Sequence, residues 1–230
     1  MKRLGLQFAV VFSCMAGFAI AGTPLTLTGA GSSIGLDGIY ISPYTATVNG
    51  VANTPVICDD FADDVYIGES WNASVGTVGS STTGLFGAEN TRGYGEVAWL
   101  SEQLFINPSN AGAISYAIWS VFEQSAVQSW LLSPPYNDTT TYNAVFGANG
   151  WLAKAQIAVP NDAASANFSN VSVYTPSPSC PAGSCGQAQE FLVVNKVTTP
   201  EAATEANLAV DFLAFGALLF VIRRPRTATR

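Results

Sequence analysis

Apolar and polar positions alternate across "GIYISPYTATVNG" (38–50), in two runs broken at Ser42-Pro43. A period of two predicts two strands or one bent strand. The run ends at Asn49-Gly50, a pair suited to the left-handed conformations of a tight hairpin turn. A third strand is expected over Pro55–Asp59. Residues 74–91 are rich in Gly, Ser and Thr and read as loop or weak edge strands. The period then changes. Val97, Leu100 and Leu104 fall on one face of a helix over 94–106. A second helix follows, with Ser109 or Asn110 as N-cap and Ile114, Ala117, Ile118, Val121 and Phe122 at helical spacing. Pro134-Pro135 closes that region, and "WLAKAQIAV" (151–159) predicts a further helix, weakened at its start by Gly147 and Gly150. "NFSNVSVYT" and "QEFLVVNKV" read as closing strands. The second is apolar on both faces and is placed in the interior of the sheet. Strands, then helices, then strands predict an α+β fold. N- and C-terminal strands would form a sheet or barrel-like layer packed on a central group of helices. No internal repeat appears, so residues 22–199 are read as one domain.

The two ends carry a different pattern. "MKRLGLQFAVVFSCMAGFAIAGTP" has a basic start, an apolar run, and small residues at Ala19 and Ala21. This predicts a secretory signal over 1–21, cleaved after Ala21 and taking Cys14 with it. Near the other end, 208–222 is an apolar run interrupted by Asp211 and followed by Arg223, Arg224, Arg226 and Arg230. As a helix it would cover about 23 Å, against a hydrocarbon core of roughly 30 Å. A short anchor is expected, with Asp211 toward the outer interface and the arginines held in the cytoplasm.

Composition narrows the chemistry. Only 11% of residues are charged, 48% are apolar, and there is no histidine. That excludes imidazole general bases, Ser-His-Asp and Cys-His catalysis, and histidine zinc ligands. Residues 22–199 hold three basic and thirteen acidic residues, a formal charge of −10. Such a body repels phosphate backbones, so nucleic acid is not an expected partner.

Pro200-Glu201-Ala202, the short apolar segment, and Arg223-Arg224 together resemble the PEP-CTERM sorting tail of Gram-negative bacteria. Ala202 stands where that motif has a second proline. The resemblance implies recognition of residues 200–230 by a sorting protease or transpeptidase of the exosortase type. It also implies export across the inner membrane, with residence at the membrane, the cell surface or the extracellular matrix, where exopolysaccharide or a surface glycan is a candidate partner.

Cys180 and Cys185 lie in "SPSCPAGSCGQ". A Cys-x4-Cys loop with Pro and Gly in an exported chain predicts a small disulfide hairpin. Cys58, in "PVICDDF", is then left without a mate. The order "VICDDF", Trp71, "EVAWL", "YAIWSVF" resembles bacterial surface thioester domains of the TQXA type. There a cysteine on an early strand is acylated by a glutamine just before an Ala-Ile-Trp helix, and the strained bond captures a nucleophile. Ala117-Ile118-Trp119 matches, but Ser115 stands where the glutamine belongs, and serine cannot supply the acyl carbon. Gln103, Gln124 and Gln128 are the nearby glutamines, with Gln103 the first choice for a non-equivalent partner.

Asp59, Asp60, Asp63 and Asp64 form an acidic cluster of the kind a hard cation such as Ca2+ takes. Their spacing does not match the Asp-x-Asp-x-Asp-Gly loop. Trp71 and Tyr66 are the least core-like aromatics, candidates for stacking on a sugar. The leading expectation is a non-enzymatic exported envelope or matrix protein. The alternatives are a covalent thioester adhesin built on Cys58, and a cation-dependent enzyme acting on polysaccharide through the aspartate cluster.

Overall fold

A computed structural model describes residues 22–30, 35–79, 84–159, 168–177 and 188–195. Six strands form a closed antiparallel barrel. They are β1 (Thr23–Gly29), β2 (Tyr44–Val48), β3 (Val51–Cys58), β4 (Ser70–Thr77), β5 (Val171–Pro176) and β6 (Phe191–Val194). The order around the barrel is β1-β2-β3-β6-β5-β4. Closure leaves no strand edge to pair with another chain. Between β4 and β5 the chain forms α1 (Thr91–Ile106), α2 (Ala111–Leu132), α3 (Thr139–Phe146) and α4 (Trp151–Ala158). The α+β class and the barrel-like layer packed on central helices are therefore present. The expected signal over 1–21, the sorting segment 200–230 and both cysteines of the Cys180–Cys185 hairpin lie outside the described residues.

The β2–β3 hairpin is local chemistry. Val48 pairs with Val51 across Asn49 and Gly50, whose φ values are 49° and 80°. Two successive positive φ angles make the turn that matches strand twist, and Asn-Gly adopts it at least cost. Other elements depart from expectation. Residues 38–41 are not a strand. The segment instead crosses α2, where Tyr116 Oη donates to the Leu36 carbonyl (3.1 Å) and Trp130 Nε1 donates to the Asp37 carbonyl (3.2 Å). β4 occupies a stretch that composition marks in part as loop. Its backbone is paired on both sides, with β1 and β5, and that pairing outweighs weak intrinsic preference. β1 and α3 carried too few apolar positions to announce themselves. α3 starts where Asp138 accepts from the Thr140 and Thr141 N–H groups, at 3.0 and 2.9 Å.

The apolar core lies on both faces of the barrel wall. Residues directly opposite on adjacent strands share a face. Tyr44 opposite Val56, and Cys58 opposite Phe191, face the barrel interior. Phe191 meets Tyr44 edge-on at 5.9 Å and Trp71 at 5.7 Å between ring centroids. Trp71 is thus part of the barrel filling, not a surface platform. Ile57, Leu192 and Val173 line the opposite face, which α1 covers. β6 is apolar on both faces because it is covered on both.

Candidate functional site

The end of β3 sends three consecutive side chains into three environments. A strand alternates, so Cys58 points into the barrel and Asp59 toward the helices. Past the strand, Asp60 lines a cleft of about 780 Å³ at the barrel mouth.

Cys58 is fully buried and free. Its Sγ donates to the Asp60 carbonyl at 3.0 Å, and its N–H donates to Ser42 Oγ at 3.2 Å. The Ser42 N–H in turn donates to Ser115 Oγ at 3.0 Å. Ser115 therefore connects to Cys58 through Ser42. Burial, then the charge of Asp60, pushes the thiol well above its ordinary range. The Trp119 indole favours the thiolate and does not offset them. The resting group is a neutral thiol.

Gln103 does not serve this site. Its Oε1 accepts from Asn107 Nδ2 at 3.0 Å, at the far end of α1. The glutamine that does approach is Gln189, whose Nε2 donates to the Asp60 carbonyl at 2.9 Å. That oxygen also receives the Cys58 thiol. Sulfur and amide nitrogen are thus no farther apart than two hydrogen bonds laid end to end. Residues 58 and 189 are brought together by the β3–β6 pairing, which sets Cys58 beside Phe191. Helical spacing around Trp119 held no sign of it.

The four aspartates diverge. Asp59 is fully buried beside Glu190, and neither of its oxygens has a hydrogen-bond partner. Glu190 Oε1 accepts from Tyr94 Oη (2.7 Å), and Oε2 accepts from the Leu85 N–H (2.7 Å) and the Thr175 hydroxyl. Donors around Glu190 and none at Asp59 favour the charge on Glu190 and the proton on Asp59. Burial raises both, and the donors pull Glu190 back. Asp60 Oδ1 accepts from the Ala62 and Asp63 N–H groups at 3.1 and 3.2 Å, while the buried Oδ2 has no partner. Asp64 is exposed at the cleft. Among the described residues no group of three His, Cys, Asp or Glu side chains is arranged to hold a metal ion.

The Asp60 position is fixed from α2. At Glu123 the helix breaks (φ −126°, ψ 41°), and the Glu123 carboxylate accepts from the Phe61 N–H. Phe61 then stands against Trp119 and Trp130, at 5.5 and 6.1 Å. Tyr66 and Tyr40 form the lips of the cleft and are 72% and 58% exposed. Tyr66 thus fits its sequence reading as a surface aromatic.

Burial pushes the Asp60 carboxyl from 3.8 up to about 7. The folded chain then keeps this proton over a range where the unfolded chain has lost it. Its contribution to stability is full below the unfolded value and is lost as pH rises through the folded one. Between 3.8 and about 7, wild type is expected to lose melting temperature more steeply than Asp60→Asn, which keeps the Oδ1 acceptor. Thermal melts across that range check it; parallel profiles for the two proteins would refute it.

Compared with protein-family models, with curated proteins and with solved structures, the chain matches none.

Proposed function

We propose that this chain is a non-enzymatic, exported envelope or extracellular-matrix protein, sorted through its PEP-CTERM-like tail and making contact through the cleft at the barrel mouth. The observation that carries the contact reading is the cleft itself. It has outward-facing tyrosines at its lips and a floor of buried aromatics. The thiol behind it is protonated and no histidine is present to act as its base. Such a site is equipped to hold a partner rather than to turn one over. The sorting half is tested by expressing the full chain and a chain ending at residue 199 in an exosortase-bearing host. The full chain is expected in the envelope or matrix fraction and the shortened chain in the medium. Identical distributions would end that reading.

A second reading is favoured by one observation, the Asp60 carbonyl shared by Cys58 and Gln189. In it the sulfur bonds to the Gln189 carboxamide carbon, and the Nε2 group leaves as ammonia with the thiol proton. The glutamine is Gln189, in place of Gln103 or the missing glutamine at Ser115. Intact mass decides. The covalent form is lighter by one ammonia, and that deficit disappears in Gln189→Ala and persists in Gln103→Ala. An unshifted mass, with Cys58 alkylated once the chain is denatured, leaves the first reading alone.

A further inference from the structure

We infer that the barrel-mouth cleft takes a methylated ammonium group, of the kind carried by a choline-type headgroup. The inference rests on the reading of this cleft as the contact site and names the chemistry it would hold.

Charge comes first. Asp60 and Asp64 line the cleft, and among the described residues no Lys or Arg does. The basic side chains among the described residues are engaged elsewhere. Arg92 Nε lies 3.0 Å from Glu96 on α1, and Lys154 Nζ lies 4.3 Å from the Trp151 ring centre on α4. Anionic ligands are therefore repelled. Asp60 is fully buried, and of its two carboxyl oxygens Oδ2 has no protein donor. A cation held above it stabilises the ionised form.

The walls come second. Tyr40, Tyr44, Phe61, Tyr66, Trp119 and Trp130 all contribute to the lining. Aromatic faces attract a cation through the ring quadrupole, and more strongly as water is excluded.

The acceptors come third, and they separate one ammonium from another. A primary ammonium carries three N–H donors. The Asp60 carbonyl already receives two hydrogen bonds, from Cys58 and Gln189. The Tyr40 carbonyl already receives Tyr44 Oη at 2.8 Å. Asp60 Oδ1 holds two backbone N–H groups. Asp60 Oδ2, Asp64 and the Gln189 amide oxygen remain, on three separate residues, whereas six aromatic side chains line the same space, so the walls suit a methylated cation better than the acceptors suit a primary one. A trimethylammonium has no donors and needs only faces and a negative field.

The test titrates the purified full-length chain with choline and reads indole fluorescence from the cleft tryptophans. Saturable binding is expected. Ethanolamine, and 3,3-dimethylbutan-1-ol as the uncharged isostere of choline, are each expected to bind about tenfold more weakly or worse. Tyr66→Ala and Asp64→Asn, both at exposed positions, are expected to weaken choline by about tenfold while leaving the melting temperature in place. Equal binding of the neutral isostere would reduce the cleft to an apolar pocket, and equal binding of ethanolamine would remove the preference for methylation. Either result overturns the inference, as does no response to choline. Saturable binding of a neutral oligosaccharide without choline would also overturn it, while leaving the cleft as the contact site.

Discussion

Glu190→Ala is expected to destabilise the folded chain by roughly 3–5 kcal/mol, from three buried donors losing their acceptor at ~1–3 kcal/mol each with partial relief by water. Tyr94 from α1, Thr175 from β5 and the Leu85 N–H from the connection before α1 all converge on this carboxylate. The side chain sits between the barrel wall and the helical layer, so its loss loosens both at once. For a domain of this size the melting temperature should fall by about 8–16 °C. Glu190→Gln should also be costly, because its amide nitrogen cannot accept from Leu85 or Thr175. Asp59→Asn should be far milder, since neither Asp59 oxygen accepts a hydrogen bond that the change would break, and an amide can donate to Glu190. The contrast between the two members of one acid pair is the informative measurement. If Asp59→Asn proves as damaging as Glu190→Ala, the proton has been assigned to the wrong partner.

Phe191→Ala is expected to cost about 3–5 kcal/mol, the range for removing a large aromatic from a packed interior. Phe191 is fully buried and touches Tyr44 and Trp71 from the far side of the barrel. It also lies beside Cys58 on the neighbouring strand. The cavity would open inside a closed barrel whose wall is held by strand pairing all round, which limits collapse into the space. Phe191→Leu should recover most of the loss by refilling the volume. Chemical denaturation of the three proteins reads both effects. A Phe191→Ala variant within 1 kcal/mol of wild type, on the order of a surface substitution, would place this ring outside the core. Cys58 gives a second signal, because a cavity beside the sulfur should speed its alkylation in the folded protein.

Some of this was legible along the chain. Asn49-Gly50 announced its hairpin because the turn's backbone requirement falls on two adjacent residues. "EFLVVN" announced a strand covered on both faces, and β6 is one. The helices over 94–106 and 151–159 appeared within a few residues of their expected bounds, because their apolar positions repeat with the helical period. Residues 74–91 read as loop or weak edge strands because Gly, Ser and Thr have weak preferences of their own, and 74–77 prove to be the end of a fully paired strand. β4 exists through its partners on either side. The segment 38–41 misled in the opposite sense. It alternates like a strand, yet side chains of α2 hold the backbone on either side of it, at Leu36, Asp37 and Ser42, in another course.

The candidate site divides the same way. Sequence by itself determined that Cys58 stands in an acidic stretch, that no histidine can activate it, and that residue 115, two before Ala117-Ile118-Trp119, is a serine. Each of these is a matter of residue identity. The tertiary structure decided which of four neighbouring aspartates faces the helices, which lines the cleft and which meets solvent, because strand alternation and chain exit, not spacing, set those directions. It also decided that the glutamine beside Cys58 is Gln189. Pairing between β3 and β6 joins positions more than a hundred residues apart, and no local period along the chain encodes such a contact.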